Sequence, residues 1–175
     1  MFGIVGARNS GKTTLVEALV SRLSDAGLRI ATIKGTHHDI DLDVTGKDSW
    51  RHRQAGAFEV VLVTPRRFVL FHERSDPGPP KLTELIARLA PADLVLVEGF
   101  KRADHPKLEV HRPKHGAALL APGVPTVYAV ATTAPIRGLT VPQLALDDIE
   151  QIAAFVRSHA RPVPDWEQPT GHSAG

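Results

Sequence analysis

The sequence has no cysteine, which excludes disulfides and thiolate metal sites. It has no apolar run approaching the ~20 residues of a membrane-spanning helix, so no membrane partner is expected. It also lacks a strong bias of charge. The formal net charge is +2, with Lys and Arg scattered rather than clustered, and no nucleic-acid partner is inferred. There is no internal repeat. What is present is ordinary for a soluble globular chain: 42% hydrophobic and 23% charged residues over 175 positions. That length suits one compact domain with a buried core. The expected organisation is a single domain over residues 1–160 and a flexible tail over 161–175, which holds three prolines and two glycines.

Strand-like and helix-like segments alternate along the chain. Phe2–Val5 reads as a short buried strand. Thr13–Ala26 reads as a helix with Leu15, Val16, Leu19 and Leu23 on one stripe. Leu28–Ile33 is a second strand, and Asp48–Gly56 a short helix with Asp48 as its cap. Phe58–Thr64 and Phe68–His72 form a candidate hairpin about Pro65-Arg66-Arg67. Lys81–Leu89 is helical by pattern. Leu94–Val97 is a continuous apolar run, expected of a strand covered on both faces. Leu108–His111, Thr126–Ala131 and Leu139–Val141 are further strands, and Asp147–His159 is a final helix. This alternation predicts an α/β fold: a mostly parallel sheet with helices on both faces and an inserted hairpin.

Gly6-Ala7-Arg8-Asn9-Ser10-Gly11-Lys12-Thr13 fits G-x-x-x-x-G-K-[ST] at every fixed position. A strand precedes it and an amphipathic helix follows, as the pattern requires. The chemistry explains each position. The glycines let backbone N–H groups close on phosphate oxygens, and the helix N-terminus adds partial positive charge. Lys12 reaches the β- and γ-phosphates, and the Thr13 hydroxyl suits Mg²⁺. Residues Gly6 to Thr14 are therefore the expected phosphate site of a P-loop NTPase fold. The first strand feeds directly into this loop, so no cleavable leader is expected and a cytoplasmic location is predicted.

A metal site of this kind needs an acidic residue at a nearby strand end. Glu98 ends the run Asp93-Leu94-Val95-Leu96-Val97-Glu98-Gly99, and Gly99 allows a close turn. Asp43-Val44-Thr45-Gly46 has the D-x-x-G spacing of a GTPase switch; it reads equally as a solvated turn, so Asp43 is a second metal candidate. His37, His38 and the aspartates that follow collect potential ligands. Adjacent histidines without a thiolate fit a polar loop better than a tight Zn²⁺ or Ni²⁺ site. His111 and His115 flank Arg112-Pro113-Lys114; they either touch an anionic ligand or sit on a basic turn, and the turn is the favoured reading.

Lys34-Gly35-Thr36-His37-His38, the stretch Asp43 to Arg51 with Lys47, Asp48, Ser49 and Arg51, the run Gln54-Ala55-Gly56-Ala57, and Leu96-Val97-Glu98-Gly99-Phe100-Lys101 occur in order. Together they resemble the molybdopterin-guanine dinucleotide biosynthesis adapter family, MobB, from about Phe2 to Arg112. The resemblance implies GTP binding with Mg²⁺, at most weak GTP hydrolysis, and homodimers. It implies association with the guanylyltransferase that joins GMP to molybdopterin, with molybdopterin itself a further candidate ligand. It places phosphate on Gly6 to Thr14 and the metal side on Glu98. Lys47, Asp48, Ser49, Arg51, Gly99 and Lys101 match family stretches without an assigned role. One departure is visible: the family pattern leads one to expect histidine after Lys34, and this chain has Gly35.

The function expected is thus a GTP-binding accessory protein of molybdenum cofactor biosynthesis. Two rivals are a metal-insertion GTPase of the urease or hydrogenase type, disfavoured by the missing cysteines, and a small-molecule kinase, which needs an acceptor site and an arginine-rich lid. No N-K-x-D motif marks guanine. Ala131–Pro135 follows a strand where base-contacting loops lie, and Asp147 or Asp148 either contacts a base or caps a helix. The apolar hairpin over Phe58–His72 is expected at the dimer interface.

Overall fold

Burial explains the order of the sheet. The computed structural model describes residues 1–36, 41–76 and 78–163. Strand β1 (Phe2–Gly6) is buried at every position, so it needs neighbours on both edges and cover on both faces. It has them: β5 (Leu94–Glu98) pairs on one side and β6 (Lys107–His111) on the other, both parallel. Strands β2 (Ile30–Lys34), β7 (Val127–Thr132) and β8 (Gln143–Ala145) complete a six-stranded sheet in the order β2-β5-β1-β6-β7-β8, with every pair parallel.

Alternation along the strands divides the core in two. Phe2, Ile4, Leu94, Leu96, Leu108, Val110, Ala129 and Ala131 face helices α1 (Lys12–Asp25) and α4 (Ile149–His159). The expected stripe of α1, Leu15, Val16, Leu19 and Leu23, is its buried face. On the opposite side, Ile33, Val95 and Val97 pack with Leu82 and Ile86 of the short helix α3 (Leu82–Ile86). Helices therefore cover both faces, as the alternating pattern predicts.

Two expectations fail. Leu139–Val141 is not a strand; the last strand is β8, beyond Pro142. Proline has no N–H to give a ladder, and Pro142 contributes only its carbonyl, which accepts the Val130 N–H at 2.9 Å. Asp48 does not cap its helix. In α2 (Asp48–Gln54) the capping position is Lys47, and Asp48 lies in the first turn, where its charge still complements the helix dipole. Asp148, by contrast, caps α4 by accepting the Gln151 N–H at 2.9 Å. The tail from 164 onward lies outside the described residues.

Contacts divide the chain into two units: Met1–Gly35 with the residues from Lys81 onward, and Thr36–Pro80. The sequence reads as one domain with an inserted hairpin; that hairpin, with α2, makes up the second unit. Strands β3 (Glu59–Thr64) and β4 (Arg67–His72) pair antiparallel across Pro65-Arg66, with Val61 opposite Leu70 and Val63 opposite Phe68. Arg53 holds this unit together. Its guanidinium bonds Asp41 (2.8 Å), reaches Asp43 (3.4 Å) and Glu73, and lies 5.2 Å from the Phe71 ring centre.

The second face of β6 is polar yet buried. Lys107 donates to the His105 carbonyl at 2.7 Å and to Thr126 Oγ1 at 2.8 Å. Glu109 accepts the N–H groups of Leu120 and Ala121, tying down the following loop. His105 is fully buried against Gly3, and neither ring nitrogen has a hydrogen-bond partner among the described residues. Burial, helped by the Lys107 charge, pushes its imidazole from 6.5 down to about 4. The unfolded chain therefore takes up a proton that the fold refuses. His105 is neutral in both states above pH 6.5, and stability is lost as pH falls from 6.5 toward 4. The loss is about 2 kcal/mol by pH 5. In urea titrations at pH 7.5 and 5, His105→Leu should lose correspondingly less than the parent chain. Parallel losses in both proteins would show that His105 does not set the acid limit.

Candidate functional site

The phosphate loop is set by three residues with positive φ. Gly6 has φ 144°, Asn9 61° and Gly11 101°. A Cβ on Gly6 would lie 2.3 Å from the Val110 carbonyl oxygen of the adjacent strand, so only glycine lets β1 end here. Asn9 holds the left-handed conformation with a side chain, an uncommon state that clusters at ligand loops. Ser10 is buried, and its hydroxyl has no partner among the described residues. Ala7 and Arg8 form the outer bend, with Arg8 exposed. Thr14 is exposed in the first turn of α1.

Lys12 Nζ donates to the Ala7 carbonyl at 2.6 Å, folding back over the loop. Burial pushes its ammonium below the ordinary lysine value; Glu98 opposes this, while Lys101 and Lys34 add to it. Thr13 Oγ1 lies 3.0 and 3.2 Å from the two Glu98 carboxylate oxygens. A hydroxyl and a strand-end carboxylate thus meet beside the loop, all-oxygen donors of the kind Mg²⁺ takes. Gly99 has φ 97° and gives its N–H to the Ile4 carbonyl at 3.1 Å, turning the chain away behind Glu98. The departure at Gly35 has a local cause. A Cβ there would meet the Phe100 ring at 3.0 Å, so that ring occupies the start of any larger side chain.

Two residues join this site to which the sequence assigns no role there. Arg112 reads as part of a basic turn. Its Nε donates to the Ser10 carbonyl at 2.9 Å, and its guanidinium lies 3.3 Å from where a Gly11 Cβ would be. Lys34 Nζ is 3.2 Å from Thr13 Oγ1 and 3.5 Å from Glu98 Oε1. Only the strand order, which puts β6 beside β1 and β2 beside β5, reveals either one.

Asp43 belongs to the second unit. Its carboxylate accepts the Ser49 hydroxyl at 2.9 Å and the Val44 N–H at 2.8 Å, besides Arg53. These bonds support the structural reading of its D-x-x-G stretch. Lys47 starts α2, and Asp48, Ser49 and Arg51 lie along it. His37 and His38 lie outside the described residues. No group of three or more His, Asp or Glu suited to a metal occurs among the described residues.

Two cavities open on the first unit. One, of about 460 Å³, is lined by Thr13, Val16, Glu17, Thr32, Lys34 and Glu98 among others. The other, of about 380 Å³, is lined by Thr132–Pro135 at the end of β7 and by Gln143–Ala145, the strand β8 itself. Gln143 clamps its rim with bonds to the N–H (2.7 Å) and carbonyl (2.8 Å) of Ile136.

Residues 1–133 match the family Molybdopterin guanine dinucleotide synthesis protein B, MobB. The chain belongs to the MobB family. Its relatives include the molybdopterin-guanine dinucleotide biosynthesis adapter protein of Haemophilus influenzae, 38% identical over 161 residues, covering 90% of this chain and 88% of that one. The Escherichia coli adapter protein of the same name is 37% identical over 150 residues, covering 84% and 85%. The crystal structure of the MobB homolog from Bacillus stearothermophilus superposes with a TM-score of 0.67 at 28% identity, covering 90% of this chain and 94% of that one. The P-loop NTPase-like fold and a place in molybdenum cofactor biosynthesis are thereby shown. The metal-insertion and kinase readings gain no support from these MobB relatives.

Proposed function

We propose that this MobB protein binds GTP with Mg²⁺ and acts as an adapter, assisting the guanylyltransferase that makes molybdopterin guanine dinucleotide. The observation that carries the reading is the meeting of Lys12, Thr13 and Glu98 around a complete P-loop. Loop N–H groups and Lys12 hold the phosphates. Thr13 and Glu98 would hold the metal, which would supply neutralisation of phosphate charge. The cavity at β7 and β8 suits the base: at one strand spacing per step it lies roughly 10–14 Å from β1, about the reach of a nucleoside. The setting is cytoplasmic, and no helix among the described residues is long and apolar enough to cross a membrane.

Binding of GTP, GDP and ATP, with and without Mg²⁺, tests the reading. GTP should bind in preference to ATP and more tightly with metal, and Glu98→Gln should abolish most of the metal effect. Failure to bind any nucleoside triphosphate would overturn it. A wild-type metal response in Glu98→Gln would move the metal ligand elsewhere.

The adapter reading includes a homodimer. Paired residues of the hairpin share a face, and Val61, Val63, Phe68 and Leu70 form one exposed at each position, from 41% accessible at Leu70 to 71% at Phe68. A second copy seated there covers both the apolar face and the free strand edges. Light scattering should give about twice the 18.9 kDa chain mass. Phe68→Lys should give a folded monomer. A parent chain that stays monomeric at high micromolar concentration removes the dimer; a Phe68→Lys dimer moves its interface.

A further inference from the structure

Lys34 and Glu98 end two strands that run in register, Lys34 opposite Glu98. The pairing brings the Lys34 ammonium to the same two groups that are fit for a divalent cation, 3.2 Å from Thr13 Oγ1 and 3.5 Å from Glu98 Oε1. Thr13 Oγ1 gives its proton to Glu98 and accepts one from Lys34, so its donor and acceptor capacities are both in use. Glu98 is largely buried, whereas Lys34 is largely exposed on the end of an edge strand. The carboxylate is thus fixed, and the ammonium is the partner free to move.

The surrounding charge makes this arrangement selective. Lys12 and Lys101 also bear on the place: both Lys101 and Lys34 oppose the charge of Lys12, and Glu98 favours it. Lys12 and Lys34 therefore both bear on the Glu98 carboxylate, and Lys101 adds positive charge beside Lys12. Glu17, on α1, lines the cavity that Lys34 and Glu98 also line. A divalent ion arriving alone meets an excess of positive charge and a competitor for its two oxygens. The terminal phosphate of a triphosphate removes both obstacles, because it adds negative charge and gives Lys34 a new partner.

The geometry points to Lys34 as a gatekeeping cation of the nucleotide site. Its ammonium and a divalent metal compete for Thr13 and Glu98, and it leaves them for the terminal phosphate when a triphosphate brings the metal. Lys34 thereby restricts metal binding to the triphosphate complex and sets the preference for GTP over GDP. This rests on the nucleotide reading above, but its first half is independent of which nucleotide is bound.

Mn²⁺ binding followed by electron paramagnetic resonance, without nucleotide, tests the competition. Lys34→Met keeps an unbranched side chain one atom shorter and removes the charge. It should bind Mn²⁺ roughly two- to fivefold more tightly than the parent, the scale of one partly exposed charge pair, and Glu98→Gln should remove that gain. The ratio of GTP to GDP affinity in Mg²⁺ should fall by about the same factor in Lys34→Met and recover in Lys34→Arg. Circular dichroism verifies that each variant is folded. Unchanged or weaker Mn²⁺ binding in Lys34→Met overturns the competition. An unchanged GTP-to-GDP ratio overturns the role in selectivity and leaves Glu17 as the alternative partner of the displaced ammonium. A parent chain that binds no nucleotide sinks the functional reading, while the nucleotide-free Mn²⁺ comparison still decides the competition.

Discussion

Gly6→Ala should lose nucleotide binding altogether and destabilise the protein by about 4 kcal/mol. Two penalties add. At φ 144° a side chain is strained whatever space surrounds it, costing roughly 1–3 kcal/mol. The new methyl also lies 2.3 Å from the Val110 carbonyl oxygen. That oxygen belongs to a strand held in register beside Gly6, so relief requires the β1–β6 ladder to part, a further 1–3 kcal/mol or so. Urea unfolding measures the first effect and titration with a fluorescent GTP analogue the second. Gly11→Ala is the informative companion. Its φ of 101° is equally unsuited to alanine, but its neighbour is the far end of the Arg112 side chain at 3.3 Å, which can swing away. It should lose less stability than Gly6→Ala and still bind GTP poorly, because the Arg112 contact with Ser10 is disturbed. An alanine at position 6 with parental stability would disprove this account of the loop.

Lys12→Ala should weaken GTP binding by at least tenfold while the fold survives. A charge-assisted contact to phosphate contributes roughly 1.5–3 kcal/mol, or about 10- to 150-fold. The bond that Lys12 makes within the protein, to the Ala7 carbonyl, is no obstacle to removing it. Burial already disfavours its charge, so the variant should unfold at the same urea concentration as the parent or a higher one. Strong loss of affinity with retained stability separates a phosphate ligand from a structural lysine. Retained affinity in a folded variant would sink the phosphate assignment.

The parts of the site that follow one another along the chain are legible in the sequence. Gly6 to Thr14 is one continuous stretch, and its chemistry depends on spacing alone. Glu98 is found because an apolar run ends on it. Arg112 and Lys34 are not legible, because each enters through a neighbour distant in sequence. Arg112 reaches Ser10 across 102 positions and Lys34 reaches Glu98 across 64. The same limit applies to the core. Lys107-Leu108-Glu109-Val110-His111 alternates like a strand with one wet face, yet all five residues are buried, because Glu109 draws the 120–121 backbone over that face. In the other direction, Leu139–Val141 has the composition of a strand, and Pro142 removes the donor needed to pair it.

The position of β1 bears on how the chain comes to be folded. It is synthesised well before its partners, which lie about a hundred residues later, at Leu94–Glu98 and Lys107–His111. At roughly 5–20 residues per second, this apolar segment leaves the ribosome some 5–20 s before either edge can be paired. Helix α1 can form locally in that time, but the strand that anchors the loop cannot be enclosed. Long-range parallel pairing is intrinsically slow and exposed to aggregation. The loop that β1 carries is therefore completed late, only after β5 and β6 have closed around that strand.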